Sequence, residues 1–197
     1  MTGTRHIKTA VFCGSFDPIH IGHAMVANHV AQSGHVDELW LVPSRVNPLK
    51  TDHPPVADIH RASMCRLVAA KCHNTSVSEV EMNLPLPSYT YRTLRYLGEM
   101  HPEREFILLI GSDNWLLFDR WRDYRKIMDE FRILIYPRPG YIVDEEDLPE
   151  RVSLLSDAPQ ALISSTFIRD ALGKGRNLNF FLPCEVLEYI RKFSLYG

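Results

Sequence analysis

GSFDPIHIGH, Gly14 to His23, joins the β-branched and aromatic run TAVFC to HAMVANHVAQSG, in which Met25, Val26, His29 and Val30 recur near one helical face before Gly34. A strand is therefore expected to run through a glycine turn into the start of a helix. The amides of a first helical turn lack intrahelical partners and the helix dipole is positive there, so an anion is stabilised without a dedicated charge. Gly14 and Gly22 carry no Cβ to hold a large group off the backbone. His20 and His23, three apart, fall on the same side of that turn and aim two imidazoles at one target. Singly these features are ordinary: a Gly-Ser turn, histidines at a helix start, an Asp17-Pro18 pair that opens a helix. Together they predict a nucleotide-phosphate site.

Working outward, VDELWLVPS reads as a second strand, followed by the proline-bearing segment RVNPLKTDHPPVAD, expected to be a lid or rim. HRASMCRLVAAKC has helical spacing at Met64, Leu67, Val68 and Cys72, and TSVSEVEM alternates as a half-buried strand. After NLPLPS come a helix, TYRTLRYLGEMH, and EFILLIGSD, a nearly continuous apolar strand of the kind buried on both faces of a parallel sheet. DYRKIMDEF is the next helix, RILIYPRPG and VSLLSD are strands, and STFIRDALGKG and PCEVLEYIRKF close the chain as helices. This alternation predicts an α/β fold, a doubly wound parallel sheet with right-handed crossovers and a ligand crevice beyond the carboxyl ends of the strands. With 197 residues, 45% of them hydrophobic, one domain spanning 1–197 is expected.

The formal charge of -2, from 22 basic against 24 acidic residues, gives no field of the kind that holds a polynucleotide. Cys13, Cys65, Cys72 and Cys184 form no CxxC pair, which fits reduced thiols in the cytoplasm. No run approaches the roughly 20 apolar residues of a membrane helix, and the N-terminus shows no signal peptide, so a soluble cytoplasmic protein is expected.

Three further segments end or follow strands and are expected to face the same crevice. In ISSTFIR, the hydroxyls of Ser164, Ser165 and Thr166 stand at a helix start, with Arg169 one turn later, where they can bind phosphate oxygens; a plain N-cap with an exposed arginine is the competing reading. Gly111 to Asp113, at the end of the most buried strand, is a candidate floor for ribose or adenine. Lys50 is a candidate phosphate-neutralising charge on a loop. The glycine turn lacks GxSxG spacing and no cysteine stands beside a base, so direct transfer without a covalent intermediate is expected. In such transfer the protein positions the reactants in line and stabilises charge on the phosphate oxygens. No carboxylate cluster suggests a protein-built metal site, so Mg2+ would come in with the triphosphate.

GSFDPIHIGH together with ISSTFIR resembles the nucleotidyltransferase superfamily with its (H/T)xGH signature. Within it the chain resembles the bacterial nicotinate-nucleotide adenylyltransferase family over almost its whole length: VPSRVNPLK, HRASMCRLV, PSYTYRTL, FILLIGSDNW, Arg120-Trp121 and PRPG fall in that family's order. The resemblance implies a Rossmann-like fold and a reaction in which the 5′-phosphate of nicotinate mononucleotide attacks the α-phosphorus of ATP, giving deamido-NAD and pyrophosphate. It further implies that His20 and His23 stabilise the transition state, that Gly14, Ser15 and Phe16 line the nucleotide cleft, and that Ser164, Ser165, Thr166 and Arg169 hold the β and γ phosphates. Lys50 would approach the triphosphate, and Gly111 and Asp113 the adenosine. Ser88, Tyr89 and Thr90, with Trp115 and Trp121, would form the nicotinate pocket, where an aromatic can stack on the pyridine ring and a hydroxyl receive its carboxylate. The chain departs from the pattern at Arg92, where the family carries an aspartate, and in RVNPLK. The competing readings are a related enzyme such as phosphopantetheine adenylyltransferase, and a nucleotide sensor without turnover. The literal His20-Ile21-Gly22-His23 is also the tetrapeptide of class I aminoacyl-tRNA synthetases, whose longer chains and tRNA-binding surface are missing here. The expected partners are ATP and nicotinate mononucleotide, with no nucleic acid and no membrane; a homo-oligomer stays open.

Overall fold

In a computed structural model, which describes residues 5–45 and 55–197, six strands form one sheet in which every pairing is parallel. They are β1 (Ile7–Gly14), β2 (Glu38–Pro43), β3 (Thr75–Val77), β4 (Arg104–Gly111), β5 (Arg132–Tyr136) and β6 (Val152–Leu154), in the order β3-β2-β1-β4-β5-β6. The helices are α1 (Ile21–Val30), α2 (Asp58–Ala69), α3 (Val80–Asn83), α4 (Thr90–Met100), α5 (Ser112–Trp115), α6 (Tyr124–Glu130), α7 (Ser165–Gly173) and α8 (Cys184–Lys192). This is the doubly wound arrangement predicted from the alternation of strands and helices.

The sheet separates two apolar layers, and the period-2 geometry of a strand decides which residue enters which. Phe12, Ile107 and Leu109 enter one layer, where they meet Val26 and Val30 of α1, Met64 and Val68 of α2, Ile168 of α7 and Val186 and Ile190 of α8. Val11, Leu108 and Ile110 enter the other, against Leu94 and Leu97 of α4 and Ile127 of α6. Because successive residues of β1 and β4 are buried on opposite faces, both strands read as unbroken apolar runs. The chain leaves β1 toward α1 on one face and β4 toward α6 on the other. Neighbouring strands that diverge in this way open a crevice at their carboxyl ends, between Gly14 and Gly111.

Three boundaries differ from the sequence reading. TSVSEVEM is only partly a strand: pairing with β2 ends at Leu41 opposite Val77, and Val80–Asn83 turns into α3, which tucks Glu81 into the interior. β4 stops at Gly111, so Asp113 lies in the first turn of α5 rather than in the strand. The 3-10 turn at Phe118–Arg120 has no counterpart in the sequence reading. Residues 46–54, with Lys50 and most of the expected lid, lie outside the described residues. Among the described residues no helix is long and apolar enough to cross a membrane.

Candidate functional site

His20 is the N-cap of α1, in extended conformation, and is buried to 3% exposure. Its backbone N–H donates to Nδ1 of His23 at 3.3 Å, and the two rings stack with centroids 3.8 Å apart. An Nδ1 that accepts leaves the proton of a neutral His23 on Nε2, and this fixes the tautomer. Burial first, and the Arg138 cation second, lower the His20 imidazole from its ordinary 6.5 to about 4. His20 is therefore neutral at pH 7, and two stacked rings avoid the repulsion of two cations. Its side chain faces the His23 backbone N–H in a capping box, although the buried Nδ1 makes no hydrogen bond of ordinary geometry.

The turn ahead of these histidines is tightly filled. Phe16 takes φ +45° and is 1% exposed, its ring edge-on to Phe12 and to His23, at 5.4 and 5.1 Å. A Cβ on Gly14 would stand 2.9 Å from that ring, so glycine is required there. Phe16 thus backs His23 as much as it borders any open space. Ser15 offers its carbonyl to Arg61 at 2.7 Å, which fixes the turn from behind.

ISSTFIR meets this turn directly. Ser164 caps α7, its Oγ accepting from the Phe167 N–H at 3.1 Å. The Ser165 hydroxyl donates to the Pro18 carbonyl at 3.0 Å, and Nη1 of Arg169 donates to the Asp17 carbonyl at 2.8 Å, with Nη2 3.3 Å from Thr166 Oγ1. Segments almost 150 residues apart in sequence are thus tied together two and three residues before His20.

The cleft is lined by His20, Gly22 and His23, by Tyr136 to Pro139 after β5, and by Pro159 to Ala161 with Ile163 ahead of α7. Arg138 is its cation. The Arg138 backbone N–H donates to the buried Ser112 hydroxyl at 2.8 Å, and its Nε stands 3.6 Å from Asp113 Oδ1. A Cβ on Gly111 would lie 2.3 Å from that carboxylate oxygen and 2.8 Å from Arg138 Cδ, so the close pair depends on glycine.

A second group of residues gathers around Phe118, on which Trp115 stacks at 5.4 Å and Trp121 packs at 5.3 Å. The Arg122 guanidinium lies 5.0 Å over the Tyr89 ring, which joins this group to Ser88 and Thr90 at the start of α4. Ser88 is buried beside Glu81, whose carboxyl is pushed up by burial and held down by the Thr93 and Ser88 hydroxyls. The Thr93 hydroxyl donates to Glu81 at 2.9 Å, whereas Ser88 Oγ and the Trp121 indole N–H are buried without a hydrogen bond of ordinary geometry.

Residues 11–171 match the cytidylyltransferase-like family. The chain belongs to that family. It is 45% identical over 193 residues to a protein of Bacteroides thetaiotaomicron named probable nicotinate-nucleotide adenylyltransferase, covering 98% of this chain and 95% of that one. It is 39% identical to the protein of the same name from Flavobacterium johnsoniae, over 96% and 99% of the two chains. Among solved structures, Plasmodium falciparum nicotinic acid mononucleotide adenylyltransferase complexed with NaAD superposes with a TM-score of 0.82 over 97% of this chain and 98% of that one. At 24% identity that likeness establishes the Rossmann-like fold.

In this cytidylyltransferase-like chain the two signature segments are bonded to each other at Asp17 and Pro18; the cleft itself is lined by His20 and His23 but not by Ser164, Ser165, Thr166 or Arg169, and Gly111 and Asp113 reach it through Arg138. Ser88 to Thr90, Trp115 and Trp121 form the neighbouring group. Sequence reading passes over Arg138, Arg61 and Asp17 as site residues. PRPG and Asp17-Pro18 are visible as turns, but nothing in a turn signal tells which side chain it will bring against His20. Arg61 looks like one more exposed helix cation until its 0% exposure is seen.

Proposed function

We propose that this chain is a nicotinate-nucleotide adenylyltransferase, which transfers the adenylyl group of ATP to nicotinate mononucleotide in NAD biosynthesis. The reading is supported by the direct bonding of Ser165 and Arg169 to the Asp17-Pro18 turn, two and three residues ahead of His20 and close to the β1/β4 switch point. The names of its relatives supply the substrate.

A 5′-phosphate has its second pKa near 6, so at pH 7 the attacking oxygen is already anionic. It attacks the α-phosphorus in line, the bond to the β-phosphate oxygen breaks, and pyrophosphate departs as an anion. Neither a general base nor a covalent nucleophile is required, which suits a His20 held neutral. What is needed is positioning and stabilisation of charge on the phosphate oxygens. In this proposal His20 and the Nε2–H of His23 donate to those oxygens, Arg169 and Thr166 hold the β and γ phosphates, and Lys50 adds a charge. Ser164 and Ser165 shape the α7 terminus that faces the same oxygens, and magnesium enters as part of the MgATP substrate. Gly14, Ser15 and Phe16 form the wall behind the nucleotide, and Gly111 and Asp113 meet the adenosine. Ser88, Tyr89 and Thr90, with Trp115 and Trp121, receive the nicotinate.

The Trp121 N–H, together with the nearby Arg122 cation, favours a carboxylate over a neutral amide. A buried donor left unmatched costs about 1–3 kcal/mol, so kcat/KM should favour nicotinate over nicotinamide mononucleotide by roughly tenfold or more. Pyrophosphate release measured side by side with both mononucleotides and with phosphopantetheine tests this. Equal rates with the two mononucleotides would remove the preference, and turnover of phosphopantetheine alone would replace the substrate.

Gly111→Ala gives an independent test of the adenosine side. The new methyl must displace the Asp113 carboxylate and the Arg138 stem, both able to swing away, and press the buried Tyr136 ring at 3.1 Å, so a modest fall in melting temperature should accompany a several-fold rise in KM for ATP. An unchanged KM for ATP would separate that pair from the nucleotide.

A further inference from the structure

Tyr196, beyond α8, stands close to the triphosphate end of the proposed site through a single carboxylate. Its hydroxyl donates to Asp17 Oδ1 at 2.7 Å, and the Val56 N–H donates to the same oxygen at 3.2 Å. Asp17 is 6% exposed, and its other oxygen, Oδ2, lies 3.9 Å from Nη1 of Arg169. That nitrogen donates instead to the Asp17 carbonyl, at 2.8 Å. A buried carboxylate this close to a guanidinium would ordinarily close a short two-point ion pair with it. Here two donors already occupy Oδ1, so Arg169 is held at the rim of the carboxylate and stays available to a phosphate. The position of Tyr196 is itself fixed by its surroundings. It packs against the core with Leu195, the Leu195 N–H donates to Ile190 at 3.0 Å, and Tyr196 takes φ +65°. Burial and the neighbouring Asp17 push its hydroxyl well up, so it remains a donor throughout the neutral range.

We propose that Tyr196 is a positioning residue for ATP: by capping Asp17 it keeps that carboxylate from closing a short, two-point ion pair on Arg169. This rests on the reading that Arg169 grips the β and γ phosphates. No motif carries Tyr196; only the folded chain brings it to Asp17.

The test is pyrophosphate release with ATP and nicotinate mononucleotide titrated separately, in Tyr196→Phe, Asp17→Asn, the double variant and Arg169→Ala. Tyr196→Phe keeps the ring and removes one hydrogen bond, so KM for ATP should rise about fivefold, with KM for the mononucleotide unchanged. Asparagine cannot ion-pair with Arg169, so adding Asp17→Asn to Tyr196→Phe should return KM for ATP toward the parent value, and Asp17→Asn alone should not raise it. A purely structural hydroxyl would give no such rescue. If Arg169→Ala raises KM for ATP but Tyr196→Phe does not, or if the double variant stays as impaired as Tyr196→Phe, the role of Tyr196 is overturned. If Arg169→Ala leaves KM for ATP unchanged, the triphosphate reading of Arg169 falls first and takes the role of Tyr196 with it.

Discussion

His23→Ala is expected to lower kcat by about a hundredfold or more, the loss typical of one preorganised donor to a developing anion, while the protein stays folded. The His23 Nδ1 accepts the His20 N–H in the α1 capping box, a bond whose loss costs only about 1 kcal/mol. Its ring is only partly buried, and its link to the His20 N–H is a long 3.3 Å. What it supplies is direction: the backbone amide on Nδ1 and the Phe16 edge at 5.1 Å fix the ring so that Nε2 carries the proton. The donor is thus set before substrate arrives, and no reorganisation is needed during transfer. His23→Gln, which keeps an amide donor near that position, should recover part of the rate. The measurement is steady-state pyrophosphate release at saturating ATP and mononucleotide, with a melting curve as the control. A kcat within a few-fold of the parent would remove His23 from the transition state.

Arg61→Met should destabilise the protein by about 3–5 kcal/mol, the range found when one member of a buried charged network is removed. The Arg61 guanidinium is fully buried and reaches four oxygens: Val56 O at 3.1 Å, Ser15 O at 2.7 Å, Ser44 O at 2.6 Å and Asp58 Oδ1 at 2.5 Å. Three of them are main-chain carbonyls, one after β1, one after β2 and one ahead of α2. Methionine fills most of the volume but donates to none of them, and a buried carbonyl left unpaired costs about 1–3 kcal/mol. For a chain of this length the melting temperature should fall by on the order of 10 °C. Arg61→Lys should recover only a fraction, because an ammonium cannot span three carbonyls in the plane of a guanidinium. Thermal unfolding followed by circular dichroism decides it, and a shift below about 3 °C would show that the network contributes little.

How much could be read from the chain depended on whether the deciding interaction was local. β4 was legible because Phe106 to Ile110 are buried alternately in the two apolar layers, which writes an unbroken apolar run into the sequence. α4 was legible because Leu94 and Leu97 repeat on one face. The limit of β3 was not. Alternation continues past Val77, but a strand ends where its neighbour stops pairing, and β2 offers no partner beyond Leu41. The same reason misplaced Asp113, since Gly111 is the last residue opposite β5 and the chain turns helical one residue later.

The amino-acid sequence by itself determined the alternation of strands and helices, the parallel sheet and the two signature segments, because each is encoded by short-range periodicity, glycine placement and residue chemistry within a few positions. Tertiary structure alone decided that burial and then Arg138 lower His20, that Arg61 ties three turns together, and that Tyr196 meets Asp17 across 179 positions. Those effects arise from burial and from the distance between charges. Both are properties of where the sheet carries a side chain, and no local pattern of residues records them.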